Sequence, residues 1–283
     1  MLRRLVMTGA SSTGWRPGPR QRGERTALLA WSGVTAALIV VSSAVTIRWC
    51  SAMGGMGSMP MPGHWSMSMM WMRMPGQTWL EATAAFLGMW TVMMVAMMLP
   101  SFTPMAWRYR QAVAGSGAPG TPLGLLLVLS TGYLLVWALI GLVAFLVGVL
   151  VAASAMRYPA LAGVVPVLVG VVVLGAGALQ FTPWKARQLA CCRTPPPSGQ
   201  VLPANRRSAW RHGLRLGVHC SASCAGSTMA LLAIGVMDVR AMVLVTAVIT
   251  AERLAPAGER VARGLGLVVV AAGVIVILRA ACG

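Results

Sequence analysis

The sequence predicts an all-α protein, a polytopic bundle of transmembrane helices, and three observations carry that expectation. Of 283 residues, 57% are hydrophobic and 10% charged, whereas charged residues make up about a quarter of an ordinary soluble domain. The apolar residues fall in unbroken runs close to the roughly 20 residues that cross a bilayer core as a helix. The basic residues collect in short segments between those runs, where they orient a membrane chain. A membrane β-barrel would need alternating segments of about ten residues, and none is present.

The elements follow in order. Residues 1–26 form a basic tail with Arg3, Arg4, Arg16, Arg20, Arg22 and Arg25. The first transmembrane helix covers 27–47 and is retained, because Arg48 and not a small-residue cleavage site follows it. Residues 48–78 make a methionine-rich extracytoplasmic loop, and 79–281 a membrane helix bundle. Within that bundle the apolar runs predict spans near 79–100, 122–153, 160–182, 214–236, 239–254 and 262–281, with a cytoplasmic loop at 183–213. The total is seven spans, or six if the short run 239–254 does not cross. Seven spans with the N-terminus inside leave 18 of the 23 basic residues on the inner side, against 16 for six spans. Both arrangements predict a bacterial inner membrane protein with a cytoplasmic N-terminus.

The net charge is +18, but no groove-reading motif accompanies it, so nucleic acid is not an expected partner. The expected partners are the lipid bilayer, a metal ion, and a membrane or metallochaperone partner. Six cysteines, two of them adjacent and two within one apolar run, do not form a disulfide framework.

Sulfur carries the chemistry. From Met53 to Met74 the outer loop holds nine methionines, with His64 among them. Thioethers are soft ligands that select Cu(I); the plainer reading is a flexible lid in which methionine fills gaps. In the second span Met89, Met93 and Met97 recur every fourth residue and form one column, with Met94 and Met98 beside it. Such a stripe also suits packing. In the fifth span Cys220 and Cys224 lie one helical turn apart on the face of Ser227, and His219 points to one side. Two thiols could hold a soft metal, or the small residues Gly217, Ser223 and Ser227 could serve close helix packing. Met94 and Cys220 each lie six residues from the inner end of their spans, so the thioethers and thiols would meet at one depth if the two helices were neighbours. Glu81, Asp238 and Glu252 fall near interfaces, and Glu252-Arg253 reads as an anchoring pair. No nucleotide loop or hydrolase motif is present. An enzyme is therefore the weaker reading, with a thiol oxidoreductase using Cys191/Cys192 or Cys220/Cys224 the one kept.

Three segments, MPGQTWLEATAAFLGMWTVMMVAMMLPSFTPM (74–105), GALQFTPWKARQLACCRTP (177–195) and GLRLGVHCSASCAGSTMALLAIGVMD (213–238), resemble a bacterial family of predicted metal-binding integral membrane proteins, a domain of unknown function. The likeness covers about 74–278. It implies an all-helical membrane domain with a metal role, and by position it points to Met89, Met93, Met94, Met97, Met98, Cys192, Cys220 and Cys224. Two departures stand out: Gln188 occupies the place of an expected cysteine, and Ser223-Cys224-Ala225 replaces Cys-Cys-Trp. Cys191 and His219 are the candidate substitutes. The functional expectation is binding of a soft transition metal, Cu(I) first, for metal transfer or homeostasis. The alternative is a non-enzymatic assembly subunit.

Overall fold

The computed structural model describes residues 19–55, 58–61, 65–114, 122–193, 205–235, 238–255 and 258–282. His64 lies outside these. The described elements are α1 (Pro19–Gly55), a hairpin of β1 (Ser58–Met61) and β2 (Trp65–Ser68), a 3₁₀ turn at Met69–Trp71, α2 (Trp79–Ala114), α3 (Pro122–Arg157), α4 (Pro159–Leu179), α5 (Pro183–Arg193), α6 (Arg206–Ile234), α7 (Val239–Leu254) and α8 (Gly258–Cys282). The protein is an all-α bundle. The chain divides into two compact units, Met1–Ala37 and Leu38–Gly283, and α1 begins in the first and ends in the second. In the first unit α1 exposes Leu28, Leu29 and Val34, while Thr35 turns its hydroxyl back to the Trp31 carbonyl.

Six helices are long and apolar enough to cross a membrane: α1, α2, α3, α4, α6 and α8. Their outer surfaces carry large exposed apolar side chains, among them Leu80, Leu127, Leu150 and Val268. Water would penalise such a surface, whereas lipid would not. The exceptions are α5, with 11 residues, and α7, with 16. At 1.5 Å per residue α7 is about 24 Å long, short of the roughly 30 Å hydrocarbon layer.

Local chemistry explains where the helices start and stop. Thr78 and Glu81 form a capping box at the head of α2: Glu81 accepts from the Thr78 N–H at 2.7 Å, and Thr78 Oγ1 accepts from the Glu81 N–H at 3.2 Å. Asp238 caps α7 by accepting from the Arg240 and Ala241 N–H groups. Asn205 caps α6 through the Ser208 N–H. Although the apolar run of the second span ends at Pro100, α2 continues through Pro100 and Pro104 to Ala114. The hydroxyls of Ser101 and Thr103 donate to the Met98 and Leu99 carbonyls in that turn.

Glycine sets the helix packing. Gly132 of α3 faces the Trp210 carbonyl, Gly213 of α6 faces Leu129, and Gly217 faces Tyr133 and Val136. The paired numbers rise together, so α3 and α6 run parallel. Gly177 of α4 faces Val270, and Gly170 faces Ile277 and Gly273 of α8; here one number rises as the other falls, so α4 and α8 are antiparallel. Between α6 and α8, α7 runs back: it starts just past the end of α6, and its last turn returns to the level of Cys220, where Arg253 meets that residue. Trp65 Nε1 donates to the Ala162 carbonyl at 2.9 Å and fastens the hairpin to α4.

The α3–α6 contact is the tightest, since a Cβ on Gly213 would collide with the Leu129 backbone. Gly213→Ala is expected to lower stability by about 1–3 kcal/mol through overpacking. Gly163→Ala, which meets nothing within 4 Å, should be close to neutral. Thermal unfolding of both variants in detergent tests the difference.

Candidate metal centre

The methionine face of α2 turns wholly inward. Met89, Met93, Met94, Met97 and Met98 are all buried, with Phe86, Trp90, Ser101 and Phe102 on the same face. These positions recur at three- and four-residue intervals, as one side of a helix requires. Trp90 anchors the face to α3 by donating from Nε1 to the Trp137 carbonyl at 2.8 Å. Above it, Phe86 packs against Trp71 and Phe145 with ring centroids 5.6 and 4.9 Å apart.

One turn below Met97 lies Ser101, whose hydroxyl accepts from Arg253 Nη1 at 3.4 Å. That arginine reaches in from the last turn of α7 and is 7% exposed. Its Nη2 donates to Cys220 Sγ at 3.0 Å, to Cys224 Sγ at 3.0 Å, to Ser223 Oγ at 2.8 Å and to the Cys220 carbonyl at 3.1 Å. Both thiols are buried. Since each sulfur lies 3.0 Å from one nitrogen, they can be no more than 6 Å apart. Tyr133 of α3 completes the group, its hydroxyl 2.9 Å from Cys220 Sγ, and its ring packs on Phe102 of α2 at 4.7 Å.

The level of the thiols on α2 is therefore that of Ser101 and Phe102, about 10 Å below Met94 along the helix axis. The matched-depth expectation placed them opposite Met94 because it counted from Pro100 as the end of the helix. With α2 extended to Ala114, Met97 and Met98 are the methionines nearest the thiol level.

Behind Cys220 and Cys224 lies a buried ion pair. Lys185 of α5 donates to Glu252 Oε2 at 2.7 Å and to the carbonyl of Ser223, the residue preceding Cys224. Lys185 and Glu252 are almost completely buried, and Glu252 Oε1 is without a hydrogen-bond partner among the described residues. The Glu252-Arg253 dipeptide thus sits in the core, where the sequence reading had it anchoring at an interface. The reason is that α7 ends at the depth of the thiols, with α5 and α6 covering its last turn.

The other predicted site residues lie elsewhere. His219 is half-buried and faces α5, with Nδ1 2.8 Å from Gln188 Oε1. Cys191 is exposed near the end of α5, and Cys192 follows it on that helix. The side chain of Cys192 and all of His64 fall outside the described residues. Tyr133, Lys185, Arg253 and Ser101 were not among the sequence-derived candidates. A signal did exist for two of them, since Lys185 is the sole lysine and charges next to apolar runs are functional by default.

Chemically, the centre offers two thiol sulfurs and, above them, thioethers, all of them soft donors. Among the described residues no group of three or more His, Cys, Asp and Glu side chains could hold a metal ion, so the donor set is unlike the four-ligand sites of structural zinc. Removing one partner of a buried ion pair costs about 3–5 kcal/mol, whereas replacing both with apolar groups costs far less. Lys185→Met alone should therefore destabilise the protein strongly, and the Lys185→Met/Glu252→Leu double variant should recover much of that loss. A double-mutant cycle by thermal unfolding measures the coupling.

No curated protein matches the chain, and no solved structure does. A family model described as "PpoB2: Copper chaperone" matches residues 87–276. The match spans about two thirds of the sequence and contains α2 from its methionine face onward, the two thiols, Lys185, Glu252 and Arg253. The chain belongs to this copper chaperone family.

Proposed function

We propose that the protein holds and passes on Cu(I) within a membrane, with Cys220 and Cys224 as the sulfur pair that takes the ion and the methionine face of α2 as the route to it. The observation that carries this reading is the arrangement at Arg253: two buried thiols share one guanidinium nitrogen at the foot of five buried methionines. Membership of a copper chaperone family supports the choice of metal.

The chemistry is ligand exchange with no change of oxidation state. Cu(I) prefers thiolate and thioether sulfur. Met97 and Met98, one turn above Ser101, could supply a third ligand to the thiol pair. The thiols give up their protons on metal binding, and the Arg253 guanidinium offsets the negative charge that this leaves in the core. Neutral thioethers make no such demand, so Met89, Met93 and Met94 suit passage and the thiols suit retention. His219, turned toward Gln188, is left out of the proposed ligand set, as is Cys191.

In the proposed topology α1–α4, α6 and α8 lie in the bacterial inner membrane and the shorter α7 runs back into it between α6 and α8, ending at the level of the thiols. The excess of basic residues at the N-terminus and in the segment containing α5 supports putting both in the cytoplasm, and the hairpin outside. The thiol pair then lies in the cytoplasmic half of the bundle, about 20 Å from the start of α6 and close to α5, the side from which a soluble copper-binding partner could exchange the ion.

The full-length protein, purified in detergent and reduced, is expected to retain one more equivalent of Cu(I) than the Cys220→Ser/Cys224→Ser variant under competition with a Cu(I) chelator. Arg253→Gln should weaken that equivalent at least tenfold, and Arg253→Lys less. Elemental analysis reads the stoichiometry. Equal copper in the wild type and the double variant would refute the thiol pair as the ion site.

A further inference from the structure

A second concentration of thioethers lies at the opposite end of α2. The turn and loop after the hairpin, residues 69–74, close over the head of the bundle and leave a cavity of about 120 Å³. Five methionines line it: Met69, Met70, Met72 and Met74 from the loop, and Met89 from α2, beside Trp49. Gln77 is the lone polar side chain in its wall, and no charged residue lines it.

This loop is not loosely laid on the bundle. Trp65 ties the hairpin to α4. Ser68 caps the 3₁₀ turn by accepting from the Met70 N–H. Trp71 lies directly over Gly148 of α3, so closely that any Cβ there would strike the indole, and its ring packs on Phe86. Met70 is buried as a result. Packing alone explains a methionine or two as gap filler. It does not explain five converging on one half-open cavity.

We propose that this cavity is a second ion site, made of thioethers only, that takes Cu(I) before it enters the bundle. The proposal rests on the copper reading of the thiol centre and adds the place of intake. Its donor set is neutral and soft, which favours a monovalent soft ion over Zn²⁺ or another harder divalent ion. Met89 belongs both to the cavity and to the column that continues at Met93 and Met97, four and eight residues on. An ion at the cavity floor is therefore already bonded to the first member of that column. From Met89 to Ser101 is twelve residues, about 18 Å along the helix, and the intervening face presents a thioether at every turn.

The site lies almost wholly outside the residues that match the copper chaperone family, which begin at 87. Only Met89 is shared.

The test uses full-length protein in detergent, with Ag(I) as a redox-inert soft ion and ¹³C-methyl methionine as the reporter. Four proteins are compared: wild type, Cys220→Ser/Cys224→Ser, the Leu variant at Met69, Met70, Met72 and Met74, and the combination of both. Leucine conserves volume, so the fold should be kept. The Leu variant is expected to bind one Ag(I) fewer than wild type. The cysteine variant should also lose one, and the combined variant two. In the wild type, methyl resonances of Met69, Met70, Met72, Met74 and Met89 should shift on Ag(I) addition, a result that does not depend on any variant folding. A Leu variant that binds as much Ag(I) as wild type, or loop methyl resonances unmoved at saturation, would overturn the intake site. Loss in the Leu variant with none in the cysteine variant would instead overturn the thiol centre and leave the intake site standing.

Discussion

One arginine and its immediate partners join four helices. Nη2 of Arg253, on α7, donates to both thiols and a hydroxyl of α6. The same guanidinium reaches Ser101 of α2, and Tyr133 of α3 holds Cys220 from the far side. An arginine in an apolar core is costly unless its donors are satisfied. Satisfying them fixes where α7 must stop, which part of α2 must face it and how α6 must be turned. Lys185 adds α5 to the same knot by bridging Glu252 and the Ser223 carbonyl.

Two levels of α2 differ in kind. At its head an uncharged pocket of thioethers meets an aromatic wall of Trp71, Phe86 and Phe145. Beside Ser101, farther down the helix, the neighbours are thiols and the surroundings are ionic. A neutral thioether binds Cu(I) without releasing a proton, whereas a thiol must ionise to bind well. On the proposed route the ion would meet weak, readily exchanged ligands first and strong ligands second, with cationic side chains beside the thiols.

How much of this the sequence discloses depends on distance along the chain. The all-helical fold, the methionine columns and the one-turn spacing of Cys220 and Cys224 are local patterns, and the apolar runs and four-residue repeats reveal them directly. The short run 239–254 is visible as well, as the span least able to cross. The knot is not local: Tyr133 is 87 residues from Cys220, Lys185 is 67 from Glu252, and Arg253 is 152 from Ser101. No periodicity links such positions. Pro100 misled for a different reason, since proline stops most helices in water but is absorbed in an apolar bundle. That shifted the expected depth of the thiols by nearly two turns.

The same prolines have a mechanical consequence. Pro100 has no N–H to give to the Ala96 carbonyl, and Pro104 has none to give to Pro100. Two rungs of α2 are therefore missing, one spanning Met97 and Met98 and the other spanning Ser101 and Thr103. A helix bends most easily where its ladder is interrupted. The pliant stretch thus includes Ser101 itself, so any tilt of the thioether column is felt at the turn where α2 meets Arg253.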